Sequence, residues 1–470
     1  MNNVPFDLRA RARRAMIAAG FQPDFPAEVR HEIQGWQNAP ATASGSDVQD
    51  LRPLLWSSID NDESRDLDQV EFVERLPDGS LRLLIGIADV DARVTKASAT
   101  NGFAAGNTTS VYTGAATFPM LPAELSTDLT SLVADQDRLA LIIELRIQNG
   151  GNVSCHDAHR AWLRNRAKLA YSSTGAWLEG RGPIPPAIAV VPGMEAQLRL
   201  QQEISEKLRA FRKQQGALTF GSIEARPVIE NGEVKDLQVS RHNVAEDIIE
   251  SFMVAANVAM AEHLKDEGCL SIRRVVKTPK RWDRIQAIAL SFGVKLPDTP
   301  DPRALSDFLA QRQVADPDHF PDLSLSVVKL LGPGEYIVEH PGAEREGHFG
   351  LAVQDYSHST APNRRFADLV TQRLLKAAAT PGAPSPYTEA ELAGIAAHCT
   401  EREDAARKVE RLMRKVIAAN FLSRRIGESF DAIITGATTK GTYARLLKFP
   451  AEGMVVKGAQ GLDVGDKVQV

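Results

Sequence analysis

Residues 59–68, Ile59-Asp60-Asn61-Asp62-Glu63-Ser64-Arg65-Asp66-Leu67-Asp68, place five acidic side chains directly before a predicted strand. Carboxylates at this density repel one another unless water or a cation separates them. A solvated acidic loop is the common explanation for such a segment. A magnesium site is the alternative, because Mg²⁺ takes oxygen ligands from a few carboxylates together with substrate phosphate. The spacing of the residues alone leaves both explanations open.

The residues that follow the acidic stretch predict a β-rich unit. Residues 70–75 and 80–87 flank Pro77-Asp78-Gly79, whose residue types suit a tight turn, and together they predict a hairpin. Residues 139–147 form an apolar strand, and Asn149-Gly150-Gly151-Asn152 would turn the chain back into another strand.

Helical spacing takes over in the middle and near the end of the chain. Apolar side chains recur at helical spacing in residues 200–211 and again in residues 247–264. Thr388 and Glu391 form a capping-box pattern that opens a long helix, which is predicted to end near residue 425. Strands and long helices in one chain predict an α+β fold.

Smaller units are predicted at both ends of a large central domain, residues 51–425. Residues 1–50 predict a small helical domain, which a helix-turn-helix unit would fit, and a linker at 38–46 rich in Ala, Pro, Ser and Thr. Residues 426–470 alternate as strands do and predict a small β-barrel. The sequence stops within a predicted strand, so this barrel is expected to be incomplete.

The composition limits the class of protein. With 43% apolar and 24% charged residues, the chain is typical of a folded protein of several domains. The net charge of -5 counts against the broad basic surface of a nucleic-acid coat protein, so contacts with nucleic acid are expected to be local. Widely spaced cysteines and the lack of a secretory signal or an apolar run of bilayer length predict a cytoplasmic protein without a membrane partner.

Several segments resemble motifs of the ribonuclease II and ribonuclease R family, in the family's order. The acidic stretch is similar to the family motif Ile-Asp-x5-Asp-x-Asp-Asp. The further segments are Ile85-Gly86-Ile87-Ala88-Asp89-Val90, Thr109-Ser110-Val111-Tyr112, Phe118-Pro119-Met120-Leu121-Pro122, Leu125-Ser126 with Ser131-Leu132, His348-Phe349-Gly350-Leu351-Ala352, and Ala361-Pro362-Asn363-Arg364-Arg365-Phe366-Ala367-Asp368-Leu369. The resemblance implies an RNB-type catalytic domain, in which a β-sheet packs with helices, and a C-terminal OB-fold barrel. It also implies 3′-to-5′ hydrolysis of single-stranded RNA to nucleoside 5′-monophosphates.

The resemblance also implies roles for individual residues. Asp60, Asp66 and Asp68 would hold Mg²⁺, or Mn²⁺ in its place, and the catalytic Asp66 and Asp68 would orient the attacking water. Arg364 would be both catalytic and RNA-binding, because a fixed guanidinium stabilises charge that develops on phosphoryl oxygens. Pro362 suits the first turn of a helix, which would set Arg364 beside the positive end of the helix dipole.

Three further residues are implied as RNA contacts. Tyr112 and Tyr171 match aromatic residues that stack on bases, a contact that accepts any base and therefore suits an enzyme without sequence preference. Glu410 matches a glutamate near the family's active site. Outside the resemblance, a tyrosine is more often a core residue and Glu410 would be a surface ion pair. Single-stranded RNA is the expected partner, and the expected form is a monomer.

Two other sets of residues are open to interpretation. The basic stretch at residues 273–281 could line an RNA path, although a solvated face is the usual explanation. His348 and His358 lie in family motifs, but their spacing does not suit zinc, which predicts structural histidines.

The chain departs from the family at Gln69, where the family usually has a fourth carboxylate. Glutamine offers only a neutral amide oxygen. One metal is then held more weakly, or Asp62 or Glu63 compensates, or activity is reduced. Two other functions therefore stay open: an RNB-fold protein that binds RNA 3′ ends without efficient cleavage, and a metal-dependent phosphodiesterase that acts on DNA or on a short nucleotide. The family's two cold-shock-type barrels are also larger than residues 1–50 can contain.

Overall fold

The computed structural model describes residues 6–37, 48–221, 224–230, 233–240, 242–317, 319–342, 346–438, 441–449 and 451–470. The predicted linker at 38–46 lies outside the described residues. The α-helices in these ranges are α1 (Leu8–Ala18), α2 (Ala27–Gln37), α3 (Ala99–Asn107), α4 (Tyr171–Leu178), α5 (Pro186–Ala189), α6 (Met194–Gln214), α7 (Val244–Asp266), α8 (Trp282–Ser291), α9 (Pro302–Ala315), α10 (Phe320–Leu331), α11 (Phe366–Ala378) and α12 (Glu389–Leu422).

The strands in these ranges are β1 (Val48–Asp50), β2 (Trp56–Asp60), β3 (Gln69–Arg75), β4 (Leu81–Ala88), β5 (Val111–Tyr112), β6 (Thr117–Phe118), β7 (Asp137–Ile147), β8 (Val153–Ala170), β9 (Glu224–Glu230), β10 (Glu233–Ser240), β11 (Ser271–Val275), β12 (Glu335–Glu339), β13 (Asp431–Thr438), β14 (Gly441–Leu446), β15 (Glu452–Met454) and β16 (Lys467–Gln469). The predicted α+β fold class is confirmed.

A closed five-stranded barrel forms the centre of the molecule. Its strands are hydrogen-bonded in the order β8-β2-β3-β4-β7, and β7 pairs again with β8, which closes the ring. The long strand β8 makes this possible, because residues 153–164 pair with β7 and residues 165–170 pair with β2. A closed sheet has no free edge. The two ends of the barrel are therefore the places where loops can carry a site.

The predicted hairpin supplies two of the barrel strands. β3 and β4 pair from Gln69↔Ile87 to Arg75↔Leu81. The turn between them contains Gly79 with φ +82°, a conformation that costs a glycine little. The turn residues thus fix the register that places residue 69 at the start of β3.

Helices cover the barrel and continue its apolar core. Capping boxes begin α7 at Asn243 and Glu246 and begin α12 at Thr388 and Glu391, so the capping box predicted from the sequence is confirmed. Side chains of α6, α7 and α11 belong to the same buried cluster as the barrel strands. No helix in the described part of the chain is both long enough and apolar enough to cross a membrane.

Both N-terminal helices contribute to cores that they share with other elements. Val29 and Ile33 of α2 lie in the barrel cluster. Ala15 and Met16 of α1 pack with Val111 of β5 and with α12. Within residues 6–37, the buried residues of the two helices thus lie in cores shared with other elements, and the boundary of the helical unit at residue 50 stays a prediction.

The last four strands form an antiparallel sheet in the order β15-β14-β13-β16. Among the described residues no pairing joins β15 to β16, so the sheet is open there. It packs on the end of α12, where the rings of Phe421 and Phe449 lie 4.9 Å apart.

Candidate active site

The acidic loop joins β2 to β3 at one end of the barrel. β2 ends at Asp60, β3 begins after Asp68, and the two strands are antiparallel with Ser57 opposite Glu71. Strand pairing therefore sets Asp60 and Asp68 beside the same opening.

Ser131 and Leu132 fix the conformation of this loop. The Ser131 hydroxyl accepts a hydrogen bond from the Leu67 N–H at 3.0 Å and donates one to the Arg65 carbonyl at 2.6 Å. The Leu132 N–H donates to the Leu67 carbonyl at 3.0 Å. Leu67, at 1% exposure, anchors the loop in the core. These hydrogen bonds and the buried Leu67 side chain fix the backbone between Asp66 and Asp68.

Asp68 is the most enclosed carboxylate of the loop. It is 2% exposed, and its Oδ1 accepts a hydrogen bond from the Asn363 N–H at 3.0 Å. The Arg364 Nε lies 3.6 Å from its Oδ2, an ion-pair distance longer than a hydrogen bond. Burial raises the pKa of Asp68 to about 7, although Arg364 and the Asn363 N–H lower it. A nearby cation would therefore stabilise the ionised form strongly.

Asp66 and Asp60 complete the predicted metal ligands. Burial, and next the neighbouring Asp60 charge, raise the pKa of Asp66. Asp60 Oδ1 accepts hydrogen bonds from the Asn61 N–H at 2.7 Å and the Ser64 hydroxyl at 3.0 Å. Three carboxylates with one arginine beside them are the hard oxygen donors that Mg²⁺ prefers, so the donor set fits the ion.

The three aspartates do not form one compact set of ligands. Among the described residues, the grouping whose ligand atoms all lie within 4.8 Å of one another is His242, Asp247 and Glu250. Arg209 already pairs with Asp247 there, and the His242 Nε2 lies 2.7 Å from the same carboxylate. We interpret that grouping as an ion-pair network.

Glu71 is a polar residue of this region that the sequence interpretation missed. It is fully buried, and neither carboxylate oxygen has a hydrogen-bond partner within the described structure. Burial first, and then Asp60, raise the pKa of Glu71 well above its usual value, which favours the neutral acid. The available signal was one acidic residue inside the otherwise apolar Val70-Glu71-Phe72-Val73. Gln69, two residues earlier, is also buried.

The segment that carries Arg364 does not begin a helix at Pro362. The predicted helix start was wrong: α11 begins at Phe366. The Ser110 N–H donates to the Arg364 carbonyl at 3.0 Å, and the Phe366 N–H donates to the Thr108 carbonyl at 2.8 Å. Residues 362–364 instead form a turn, in which the N–H groups of Arg364 and Arg365 donate to the Ala361 carbonyl at 3.2 and 3.0 Å. Arg365 is extended and pairs with Thr109, so the helix begins only after it. The Arg364 side chain, 47% exposed, stands just before the helix.

Asp368 of α11 accepts the hydrogen bonds that fix the segment around Arg364. Its carboxylate is fully buried and accepts hydrogen bonds from the Ala361 N–H at 2.7 Å and from Arg365 at 2.7 and 2.8 Å. Two adjacent arginines thus have different tasks: Arg365 is bound into the fold, and Arg364 faces the opening.

The implied RNA contacts lie on elements that meet at this opening. Tyr112 of β5 is 44% exposed, and its backbone N–H donates to Glu410 Oε1 at 3.1 Å. Glu410 thus contacts the strand that carries Tyr112. Tyr171 begins α4 directly after Ala170, which pairs with Asp60 across β8 and β2. Burial, and next Asp60, raise the pKa of Tyr171. Their roles in RNA binding stay predictions.

The basic stretch at 273–281 does not form an RNA path over its first part. Arg273 and Arg274 are 2% and 5% exposed, and Arg274 pairs with Glu403 at 2.7 Å. His358 accepts or donates a 2.7 Å hydrogen bond with the Tyr336 hydroxyl in the same buried region, as expected of a structural histidine.

Comparisons with known proteins agree with this architecture. A family model described as "RNB domain" matches residues 48–381. Ribonuclease R of Thermotoga maritima is 31% identical over 451 residues, which cover 92% of this chain and 61% of that protein. The chain thus spans less than two thirds of that relative's length.

Two solved structures share the fold. Mycoplasma genitalium RNase R in complex with ribose-methylated single-stranded RNA has a TM-score of 0.88 at 22% identity, over 99% of this chain and 76% of that one. Yeast Ssd1, described as a pseudonuclease, has a TM-score of 0.68 at 17% identity, over 87% of this chain and 50% of that one. The fold therefore occurs both in a ribonuclease and in a protein described as a pseudonuclease, so the fold alone does not establish nuclease activity.

Proposed function

Because this chain belongs to the RNB-domain family, we propose that it is an exoribonuclease that hydrolyses single-stranded RNA from the 3′ end with Mg²⁺ and releases nucleoside 5′-monophosphates. The observation that carries this proposal is the buried Asp68, held by the Asn363 N–H beside the exposed Arg364 at the end of the barrel. Relatives named ribonuclease R support the substrate class. The 3′-to-5′ direction and the metal come from the motif resemblance.

Asp60, Asp66 and Asp68 would hold the ion. A bound Mg²⁺ or Mn²⁺ supplies positive charge that acidifies a water molecule and stabilises the phosphate oxygens during in-line displacement. Burial makes the aspartates sensitive to that charge, since Asp66 and Asp68 lose solvation and gain like-charged neighbours in the folded protein. The Asn363 N–H fixes the orientation of the Asp68 carboxylate toward the opening.

Arg364 would bind the scissile phosphate. Its guanidinium is half exposed and makes only a 3.6 Å contact with Asp68, so it can bind an incoming phosphate oxygen without breaking a strong ion pair. Asp368 and Arg365 hold the backbone beneath it, so the guanidinium starts from a fixed point. A preorganised cation of this kind stabilises the transition state more than a mobile one.

Tyr112 would stack on a base near the 3′ end. Its ring is exposed beside the opening, while Glu410 holds its backbone. Stacking does not depend on base identity, which suits stepwise removal of any nucleotide.

Incubation of 5′-labelled single-stranded RNA with the protein and Mg²⁺ tests the proposal. We expect a ladder of fragments shortened stepwise from the 3′ end, with mononucleotide as the released product. DNA of the same sequence should remain intact if the 2′-hydroxyl is selected. RNA that stays full-length at high protein concentration would contradict the proposal, and equal cleavage of DNA would contradict the assignment to RNA.

Gln69 favours one other function, which is RNA 3′-end binding with little cleavage. The matched variant Gln69→Asp separates the two, because it restores the family's fourth carboxylate. Moderate wild-type cleavage that increases in Gln69→Asp supports a weakened enzyme. Tight RNA binding with no cleavage by either protein would support the binding function.

A further inference from the structure

α1 and α12 lie side by side and antiparallel beside the candidate active site. Leu8 at the start of α1 packs with Ile417 and Phe421, near the end of α12. Ala15 and Met16 at the other end of α1 pack with Ala406 and Val409. We call α1 and residues 406–417 of α12 the basic helix pair.

Val111 joins the basic helix pair to the candidate site. It is fully buried in the same cluster as Ala15, Met16 and Val409. Tyr112, the next residue, is 44% exposed and does not belong to this cluster, and its backbone N–H donates to Glu410 of α12. The surface of the helix pair is therefore continuous with the residue proposed to stack on the RNA end.

Positive charge dominates the exposed faces of the two helices. α1 contains four arginines and no acidic residue, and residues 407–415 of α12 contain five cationic residues and one acidic residue. Arg13 pairs with Asp24, and Arg407 pairs with Glu403. The remaining cations without an ion-pair partner among the described residues are Arg9, Arg11, Arg14, Lys408, Arg411, Arg414 and Lys415.

A solvated helix face is the usual explanation for surface charge, and α6 shows what that looks like in this protein. On α6, Arg199 pairs with Glu195 at 3.0 Å and Lys207 pairs with Glu203 at 3.0 Å. The basic helix pair lacks such alternation of sign. A patch of unpaired cations in a chain of net charge -5 concentrates an attractive potential for polyanions in one place.

We propose that the basic helix pair binds the phosphates of the RNA strand upstream of the nucleotides at the active site, and so guides the strand past Tyr112 into the opening. The proposal rests on the proposed function for its choice of RNA as the polyanion. The contacts would be to backbone phosphate, because arginine and lysine on an exposed face recognise charge and not base sequence. The surface would therefore control the grip on long RNA and leave the chemistry to the barrel end.

Two charge-neutralised variants and one matched control test this surface. The first variant is Arg9→Gln with Arg11→Gln and Arg14→Gln, and the second is Lys408→Gln with Arg411→Gln and Lys415→Gln. The control, Arg199→Gln with Lys207→Gln and Lys213→Gln, removes three positive charges from α6. Affinity for RNA of about 20 nucleotides and of about four nucleotides is measured with chelator present at several salt concentrations, since single-strand sites extend over roughly 4–16 nucleotides.

We expect each variant to bind the long RNA about tenfold more weakly at low salt. The slope of log affinity against log salt should decrease in magnitude by about 2, since each phosphate contact on a single strand contributes about 0.7. The short RNA should lose much less affinity, and the α6 control should match the wild type. Circular dichroism and thermal melting identify a variant that fails to fold, and Arg→Lys exchanges at the same positions should restore the slope.

An unchanged salt slope in both variants would overturn the proposal, as would an equal loss for long and short RNA. Loss of binding to anionic lipid vesicles with unchanged RNA affinity would assign the surface to a membrane and also overturn it. Because binding is measured without cleavage, the two proposals can fail separately. A wild type that binds long RNA with a steep salt dependence but never shortens it would refute the exoribonuclease and leave this surface standing.

Discussion

Carboxylates predominate in the acidic loop and cations predominate in the basic helix pair, but the loop carboxylate Asp68 is buried whereas most of the helix-pair cations are exposed. Asp68 is 2% exposed and is held by a backbone N–H, so the fold has fixed one carboxylate at a cost in solvation. Most cations of the basic helix pair have no ion-pair partner among the described residues; Arg13 and Arg407 are the paired ones. A buried charge has a large individual effect on chemistry, whereas exposed charges act together through a salt-dependent field. The comparison predicts large effects at the barrel end and graded effects along the helices.

Removal of divalent cations should have the largest effect on activity. The aspartates provide oxygen ligands for a cation, and Arg364 is the positive side chain that lies beside Asp68. Chelation should therefore abolish RNA shortening, and added Mg²⁺ or Mn²⁺ should restore it. Stopped reactions on labelled RNA measure this directly. Full activity in chelator, after the protein has been stripped of metal, would show that the acidic loop is not a metal site.

Arg364→Ala should reduce kcat by about 10²–10³, the range found when one preorganised donor to a developing charge is removed. Arg364→Lys keeps the charge but loses the planar fork, so it should recover only part of the rate. Single-turnover cleavage measures both. The loss should fall on kcat more than on RNA affinity, and a loss confined to affinity would place Arg364 with the basic helix pair instead.

Asp368→Asn should lower stability, because the fully buried Asp368 carboxylate is the ion-pair partner of Arg365, whose side chain is 26% exposed. Removing one partner of a buried ion pair costs roughly 3–5 kcal/mol of unfolding free energy. Asp404→Asn, whose carboxylate is 45% exposed and lies 3.9 Å from Arg407, is the matched control and should change little. Urea unfolding compares the two. Equal stability of both variants would contradict a locked Arg364 segment.

Tyr112→Ala should weaken RNA binding by about 1–3 kcal/mol, the contribution of one stacked base. Tyr112→Phe keeps the ring and should bind nearly as the wild type does. Unlike variants of the helix pair, Tyr112→Ala should weaken short and long RNA alike, because the ring is proposed to contact the 3′ end. Fluorescence anisotropy with the two RNA lengths distinguishes these outcomes, and a loss for long RNA alone would move Tyr112 to the upstream surface.

The smallest expected effect concerns the pH dependence of stability at His348. Burial, and then Arg274, lower the pKa of His348 to about 4. The unfolded chain, with a histidine pKa near 6.5, binds a proton that the folded chain rejects. The contribution of neutral His348 to the free energy of unfolding is therefore fully present above about pH 6.5 and decreases as the pH falls toward 4. Thermal melting of wild type and His348→Asn should converge at low pH, and parallel curves would show that His348 contributes nothing.

Local parts of the fold could be predicted from the sequence, and long-range contacts could not. The β3–β4 hairpin and the capping box at Thr388 follow from a turn glycine and a short-range pattern. The start of α11 was predicted too early because Pro362 suits a helix, whereas residues 362–364 form a turn and Arg365 pairs with Thr109, which is distant in sequence. A local pattern cannot show a partner that lies far along the chain.

The residues of the candidate site also fall into those that a local sequence pattern indicates and those that depend on long-range contacts. Ordered motifs in the amino-acid sequence are enough to indicate Asp60, Asp66, Asp68 and Arg364. The burial of Glu71 and the task of Ser131 could not be anticipated, because both depend on which strands close the barrel. Arg273 and Arg274 were expected in a basic stretch that is solvated or lines an RNA path. Both are buried, because their ion-pair partners lie on other elements that pack against them.

The substitution Asp68→Asn, assayed for both cleavage and binding of 5′-labelled single-stranded RNA, tests the central claim most directly. Asparagine keeps the shape of the side chain and an oxygen that can accept the Asn363 N–H hydrogen bond, but it removes the negative charge. We predict that the ladder of shortened RNA disappears while RNA affinity stays within about threefold of the wild type, less than 1.4 kcal/mol. An Asp68→Asn protein that still produces the ladder at the wild-type rate would contradict a catalytic site at the end of the barrel.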